Sequence, residues 1–296
     1  MSSNSKSAIS IRVDPTNPGQ FFACCGLLEL ADRLWDGAEG WFDKDGFLFS
    51  LRPYQEKAQK CAPATLLAEI TRCRLTNTMS DSELKRRDQL MAVPKKIIES
   101  DPSLEAEKKV LDKLWREAPL VLHSPFNIRV DWFLDEYCGG TMFKTWAGQQ
   151  SVFEIGRGMK AALDSGDWSH TSPDDWLRRR MLNDSLPFNF DSELGGVGSD
   201  LDVGFSFDPL KTIKVQARPL LEFLAFVGLQ RFRPMKINAE NRFQYFLWFG
   251  PLVSEVAAPA ACGLFGPVRL KAFEFRLLYR TKYLKSFLPA TPIQRS

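Results

Sequence analysis

"NPGQFFACCGLLELADRLW", residues 17–35, is the segment from which the architecture of this chain unfolds. Asn17 offers an acceptor side chain at a helix start, and Pro18 suits the first helical position, where no backbone N–H is needed. Gln20 stands at the third position, in a variant of the capping box. Beyond it nearly every residue is apolar or small, which marks a helix enclosed by other elements rather than lying on a surface. The helix is expected to end near Trp35, before Gly37 and Gly40.

Outward from this helix the elements follow by pattern. "ISIRVD", residues 9–14, alternates apolar and polar residues as a strand does. "GWFDKDGFLFSLR", residues 40–52, places two apolar arms around Asp45-Gly46, a hairpin signal. A second apolar helix is predicted in "ARPLLEFLAFVGLQRFRPM", residues 217–235, with Pro219 near its start. Both helices carry A-x-x-G-L, at 23–27 and 225–229, which fits either an internal duplication or two helices packed closely through glycine. "FNIRVDWF" (126–133), "TIKVQ" (212–216), "RFQYFLWFG" (242–250) and "VRLKAFEFRLLYR" (268–280) are β-prone. Between 55 and 118 the chain turns polar and charged, with helix-period apolar positions and breaks at Pro94 and Pro102. The expected fold class is α+β, with mixed or antiparallel sheets, two buried helices and a helical insertion. Its expected divisions are a strand-helix-hairpin unit over 1–54, a helical insertion or lid over 55–120, and an α+β domain over 121–296.

Composition narrows the function classes. With 44% apolar residues, 23 Phe and 8 Trp, the chain can bury a large core. No apolar run approaches the ~20 residues that cross a bilayer, and "MSSNSKSAISIRVD" lacks a signal-type apolar stretch. A cytoplasmic protein without membrane partners is expected. The six cysteines form no CxxC pair, and His123 and His170 stand well apart. A zinc site or a histidine-assisted nucleophile is therefore hard to assemble, and no cofactor is expected. Charge is uneven: residues 1–210 hold 25 Lys/Arg against 32 Asp/Glu, whereas residues 211–296 hold 14 against 4. A basic C-terminal third suits a polyanionic partner. Nucleic acid is the favoured partner; the rival is an acidic protein surface, the chain's own N-terminal part included.

"YCGGTMFKTWAGQQSVFEIGRGMKAALDSG", residues 137–166, sharpens that choice. Glycines let a backbone approach a ligand and expose N–H groups to phosphate. Lys144 would supply a point charge, Gln149 and Gln150 would donate to phosphate or base edges, and Arg157 and Lys160 follow. The spacing gives no GxxxxGK[ST], so nucleoside triphosphate binding is not indicated. The alternative is a plain strand-to-helix connection. Arg178, Arg179 and Arg180 are consecutive; on a helix they would fan over roughly 200°, although Asp174, Asp175 and Asp184 lie near enough to neutralise them. Arg231, Arg233 and Lys236 surround Phe232 at a predicted helix C-terminus, where cations also relieve the helix dipole. Asp200, Asp202 and Asp208 would suit a magnesium-dependent nuclease, or simply cap a glycine-rich turn.

Four words occur in order: "NPGQFFACCGLLELADRLWDGAEGWF", "FKTWAGQQS", "PFNFDSELGGVGSDLDVGFSFD" and "ARPLLEFLAFVGLQRFRP". Together they resemble a short, large-subunit-like Cascade protein family of subtype I-G (formerly I-U) CRISPR systems. None of the words is a catalytic signature. The resemblance implies a non-enzymatic subunit of a crRNA-guided surveillance complex, with crRNA, target double-stranded DNA and other Cascade backbone subunits as partners. It also implies help in recognising the protospacer-adjacent motif and in recruiting a helicase-nuclease. No motif of the family assigns base contacts to particular residues, and the chain is short for a complete large subunit. A scaffold subunit that reads no DNA is the alternative.

Overall fold

The computed structural model describes residues 7–54, 62–137, 139–146, 150–183, 186–194, 215–237, 241–265, 270–279 and 285–293. β1 (Ile9–Arg12) leads into α1 (Pro18–Trp35), where Asn17 Oδ1 accepts the N–H groups of Gly19 and Gln20 at 3.0 and 3.4 Å. Gln20 does not complete a capping box. Its Oε1 accepts the Asp14 N–H at 2.8 Å and pins the turn from β1 into the helix. Positions 18–31 of α1 are all buried, as a helix without a polar face requires. The predicted hairpin follows as β2 (Ala38–Phe42) and β3 (Leu48–Pro53), with Gly46 at φ 84° in its turn.

α2 (Pro63–Arg72) and β4 (Leu75–Asn77) come next, then α3 (Asp81–Ala92), α4 (Lys95–Ser100) and α5 (Pro102–Glu117). The helical insertion is narrower than 55–120. Leu66, Leu67 and Ile70 of α2 belong to the main core, whereas Met79, Leu90, Ile98 and Leu111 form a small core of their own. β5 (Leu120–Leu122) and β6 (Ile128–Val130) pair with β4 in the order β4-β5-β6. The strand predicted in "FNIRVDWF" stops early. At Trp132 the chain turns inward, and Gln230 Oε1 accepts the N–H groups of Asp131 and Trp132 at 2.9 and 3.0 Å.

α6 (Val152–Ser165), β7 (Met181–Asn183) and β8 (Val215–Ala217) precede α7 (Pro219–Gly228). α1 and α7 pack directly on each other through the repeated A-x-x-G-L. A Cβ on Gly26 would overlap the Leu224 carbonyl oxygen, and one on Gly228 would overlap that of Phe22. The shared pattern thus encodes a close helix crossing.

β9 (Met235–Ile237), β10 (Arg242–Trp248), β11 (Leu252–Val253), α8 (Ser254–Ala261), β12 (Leu270–Tyr279), β13 (Lys285–Phe287) and β14 (Thr291–Ile293) complete the chain. One sheet runs β1-β3-β2-β11 and another β13-β12-β10-β9, with β14 also on β12. Every strand pairing among the described residues is antiparallel. The protein is α+β. Aromatic side chains join both sheets to the helix pair. Phe21 of α1 stacks on Tyr245 with centroids 4.3 Å apart and on Phe42 at 5.7 Å, and Trp248 Nε1 donates to the Gly40 carbonyl at 2.6 Å.

A buried polar knot closes the N-terminal ends of α1 and α7. Asp191 accepts from Asn17 Nδ2 at 2.7 Å and from Arg218 Nη1 at 3.1 Å, while Glu222 accepts the N–H groups of Phe190 and Asp191 at 3.2 and 3.0 Å. All four side chains are buried. No helix among the described residues is long and apolar enough to cross a membrane.

Candidate nucleic-acid interface

Gly139 and Gly140 of the 137–166 stretch serve packing. Gly139 adopts φ 73°, and a Cβ on Gly140 would overlap the Trp132 carbonyl oxygen. Gly140 therefore lets the 3-10 turn at Gly140–Phe143 lie against the one at Trp132–Leu134. Phe143 then docks edge-on against Phe243 of β10, with ring centroids 4.7 Å apart. At the far end Ser151 caps α6, accepting the Glu154 N–H at 3.4 Å.

This scaffold delivers Lys144 to the rim of the core. Its Nζ lies 5.9 Å from the centre of the Trp146 ring and 3.8 Å from Glu117 Oε1, its carboxylate partner. From the other end of the chain β13 brings Lys285. The Lys285 N–H donates to the Thr145 carbonyl at 2.9 Å, and its Nζ sits 5.3 Å from the Tyr279 ring centre. Burial, and after it the Lys144 ammonium, hold the Lys285 ammonium below the ordinary lysine range. Two cations about 140 residues apart in sequence are thus brought to one region, with Lys285 Nζ also donating to the Met142 carbonyl at 3.4 Å, and a local excess of positive charge favours an anion there. The hydroxyls of Thr145 and Ser286, the residues next to these lysines, are buried without a hydrogen-bond partner among the described residues.

The other predicted residues go elsewhere. Gln149 lies outside the described residues, and Gln150 is half-buried. Arg157 is exposed on α6, paired with Glu154 at 2.7 Å. Lys160 does not border any outer path: it is buried, with its ammonium on the Thr71 carbonyl and on Asp164 Oδ1 at 2.5 Å, tying α6 to α2. Lys160→Ala is expected to lower stability by roughly 1–3 kcal/mol in denaturant melts, with any nucleic-acid affinity unchanged. The triple arginine is not helical; it follows a 3-10 turn and leads into β7. Arg178 is exposed without an ion-pair partner among the described residues. Arg179 lies 4.6 Å over the Trp168 ring and donates to the Asp167 carbonyl and to Thr171 Oγ1, and Arg180 pairs with Glu193 at 2.9 Å.

Arg231, exposed, and Arg233, half-buried, are likewise ion-paired. Arg231 Nε meets the buried Glu29 carboxylate at 2.6 Å, and Arg233 pairs with Asp135. Lys236 is exposed on β9. Of the residues expected along a basic surface, Lys160 is thus buried, and Arg231 and Arg233 are engaged with the chain's own carboxylates. Three of the 14 C-terminal cations, Arg218, Arg231 and Arg233, rest on the chain's own N-terminal carboxylates: Asp191 and Glu193, Glu29, and Asp135. Sequence patterning missed Lys285, because nothing in "YLKSF" signals which loop β13 will meet.

Asp200, Asp202 and Asp208 lie outside the described residues, and no cluster of three metal-ligating side chains occurs among those described. Burial raises the Cys24 and Cys25 thiols well above the ordinary cysteine range, which suits packing rather than chemistry. No protein family, curated protein or solved structure matches the chain.

Proposed function

We propose that the chain is a non-catalytic, nucleic-acid-binding subunit of a crRNA-guided surveillance complex, the role that its resemblance to the subtype I-G Cascade family implies. The observation that carries the binding part is the meeting of β13 with the 140–146 turn, which brings Lys285 onto the Thr145 and Met142 carbonyls and so into the neighbourhood of Lys144. Phosphate beside the two lysines would relieve their repulsion. The exposed Tyr279 ring supplies a stacking surface for a neighbouring base, whereas Trp146 is buried in the core. In this reading the subunit contributes to target-DNA and adjacent-motif recognition and to the recruitment of a helicase-nuclease, and it works in the cytoplasm.

Fluorescence anisotropy of the purified chain with duplex DNA over a salt series tests it. Lys144→Ala and Lys285→Ala are each expected to weaken binding and to reduce the salt slope by ~0.9 for each phosphate that is no longer neutralised. The double variant is expected to lose less than the sum, because the lysines share one anion. Affinity that ignores salt, or that neither variant changes, would count against the reading.

A scaffold role has one observation in its favour. Between the insertion and β5–β6 runs an open groove of about 490 Å³ whose lining includes Met79, Val110, Leu114 and Leu134, with Val110 59% exposed. Absence of any salt-sensitive nucleic-acid binding would leave that role as the better one.

A further inference from the structure

The C-terminal sheet turns one face to the core and the other to solvent. Phe243, Tyr245, Phe275 and Leu277 are buried, whereas Arg242, Gln244 and Glu274 are half-buried and Arg276 is exposed. The register sets Arg242 opposite Arg276 and Gln244 opposite Glu274, with Ile237 and Met235 of β9 alongside. Towards Trp248 this outer face is closed, because Phe246 is buried against Gly263. Towards Arg242 it is open, with Met235 and Leu278 39% and 38% exposed.

Like charges directly opposite on neighbouring strands weaken the strand pair. Glu274 relieves Arg242 at 3.3 Å, but the Arg276 side chain has no partner among the described residues. Lys236, exposed on the edge strand, pairs with the core-facing Phe243 and so falls on the other side of the sheet. The open face is thus partly apolar and carries one uncompensated positive charge, that of Arg276. A duplex would meet it with phosphates alone, since its bases are stacked inside. A single strand presents phosphates and flat base faces together, and so matches both of its features. We propose that the open end of this sheet binds a single-stranded polynucleotide, with Arg276 on phosphate and Met235, Ile237 and Leu278 beneath the bases.

The proposal rests on the nucleic-acid reading above and names the strand form. It concerns a different contact, since Tyr279 and its pairing partner Lys285 fall on the opposite side of the sheet from Arg276. The test is anisotropy of the full chain with single-stranded RNA, single-stranded DNA and a duplex of the same sequence. At least one single strand is expected to bind more tightly than the duplex. Arg276→Ala, at an exposed position, is expected to weaken single-strand binding about fivefold and to lower its salt slope by ~0.7. Met235→Ser should weaken it with the slope unchanged, and thermal melts verify that both variants fold. Duplex binding equal to or tighter than that of both single strands overturns the proposal. So does an Arg276→Ala chain that binds single strands like the parent while Lys144→Ala does not, and there the broader reading survives. If the parent chain binds none of the three probes, both readings fall.

Discussion

Gly26→Ala is expected to lower the stability of this protein by on the order of 3 kcal/mol, at the upper end of what overpacking costs. The added methyl would overlap the Leu224 carbonyl and lie 3.0 Å from the Gly228 nitrogen. Those are backbone atoms inside a helix, so no side chain can rotate out of the way; the helices themselves must part. Parting them disturbs both sheets, because Phe21 and Phe22 of α1 stack against rings from β2, β10 and β13. Gly228→Ala meets the same crossing from the other side and is expected to match it. The double variant supplies the sharper test. Once the helices have separated for the first methyl, the second finds room, so the combined loss should fall clearly short of the sum. Gly250, with nothing within 4 Å of a built Cβ, is the control. Gly250→Ala is expected to be neutral or to stabilise by about 0.4–1 kcal/mol. Urea denaturation of the four variants checks the set, and strict additivity would contradict the shared crossing.

Glu222→Gln is expected to change the pH dependence of stability. Burial, with the nearby Asp191 carboxylate second, pushes the Glu222 carboxyl up to about 8 from an ordinary value of 4.5. Between those values the folded chain keeps a proton that the unfolded chain has released. Stability from this group is therefore complete below pH 4.5, declines as pH rises and is lost by about pH 8, at up to ~1.4 kcal/mol per pH unit. In the variant that decline is expected to disappear. The glutamine has one acceptor for two inward N–H groups, those of Phe190 and Asp191, so one donor is orphaned. At pH 5 the variant should be less stable by roughly 1–3 kcal/mol, and by pH 8 the gap should narrow or reverse. Parallel denaturation curves at pH 5 and 8.5 report the difference. An unchanged gap would mean that Glu222 is ionised throughout.

The local grammar of the chain carried the two central helices, the first hairpin and the long C-terminal strands. Asn17, Pro18 and Pro219 are short-range signals, and a helix with no polar face has to be enclosed. Gln20 was legible as a helix-start residue but not in its partner, since Asp14 becomes available only after the preceding turn forms. Arg178–Arg180 misled a helical projection because two aromatic anchors nearby, Trp168 and Trp176, draw that segment into a turn. For the candidate site, Lys144 was legible as a cation in a loop, whereas Lys285 was not.

By itself the sequence determined an α+β chain with two enclosed helices and an excess of positive charge in its last third, because periodicity, caps and composition act over a few residues. Only the tertiary structure decided which cations remain free to meet a partner. Ion pairs such as Arg231–Glu29 and Arg233–Asp135 join residues about 200 and 100 positions apart, and no local pattern records which carboxylate a distant arginine will reach.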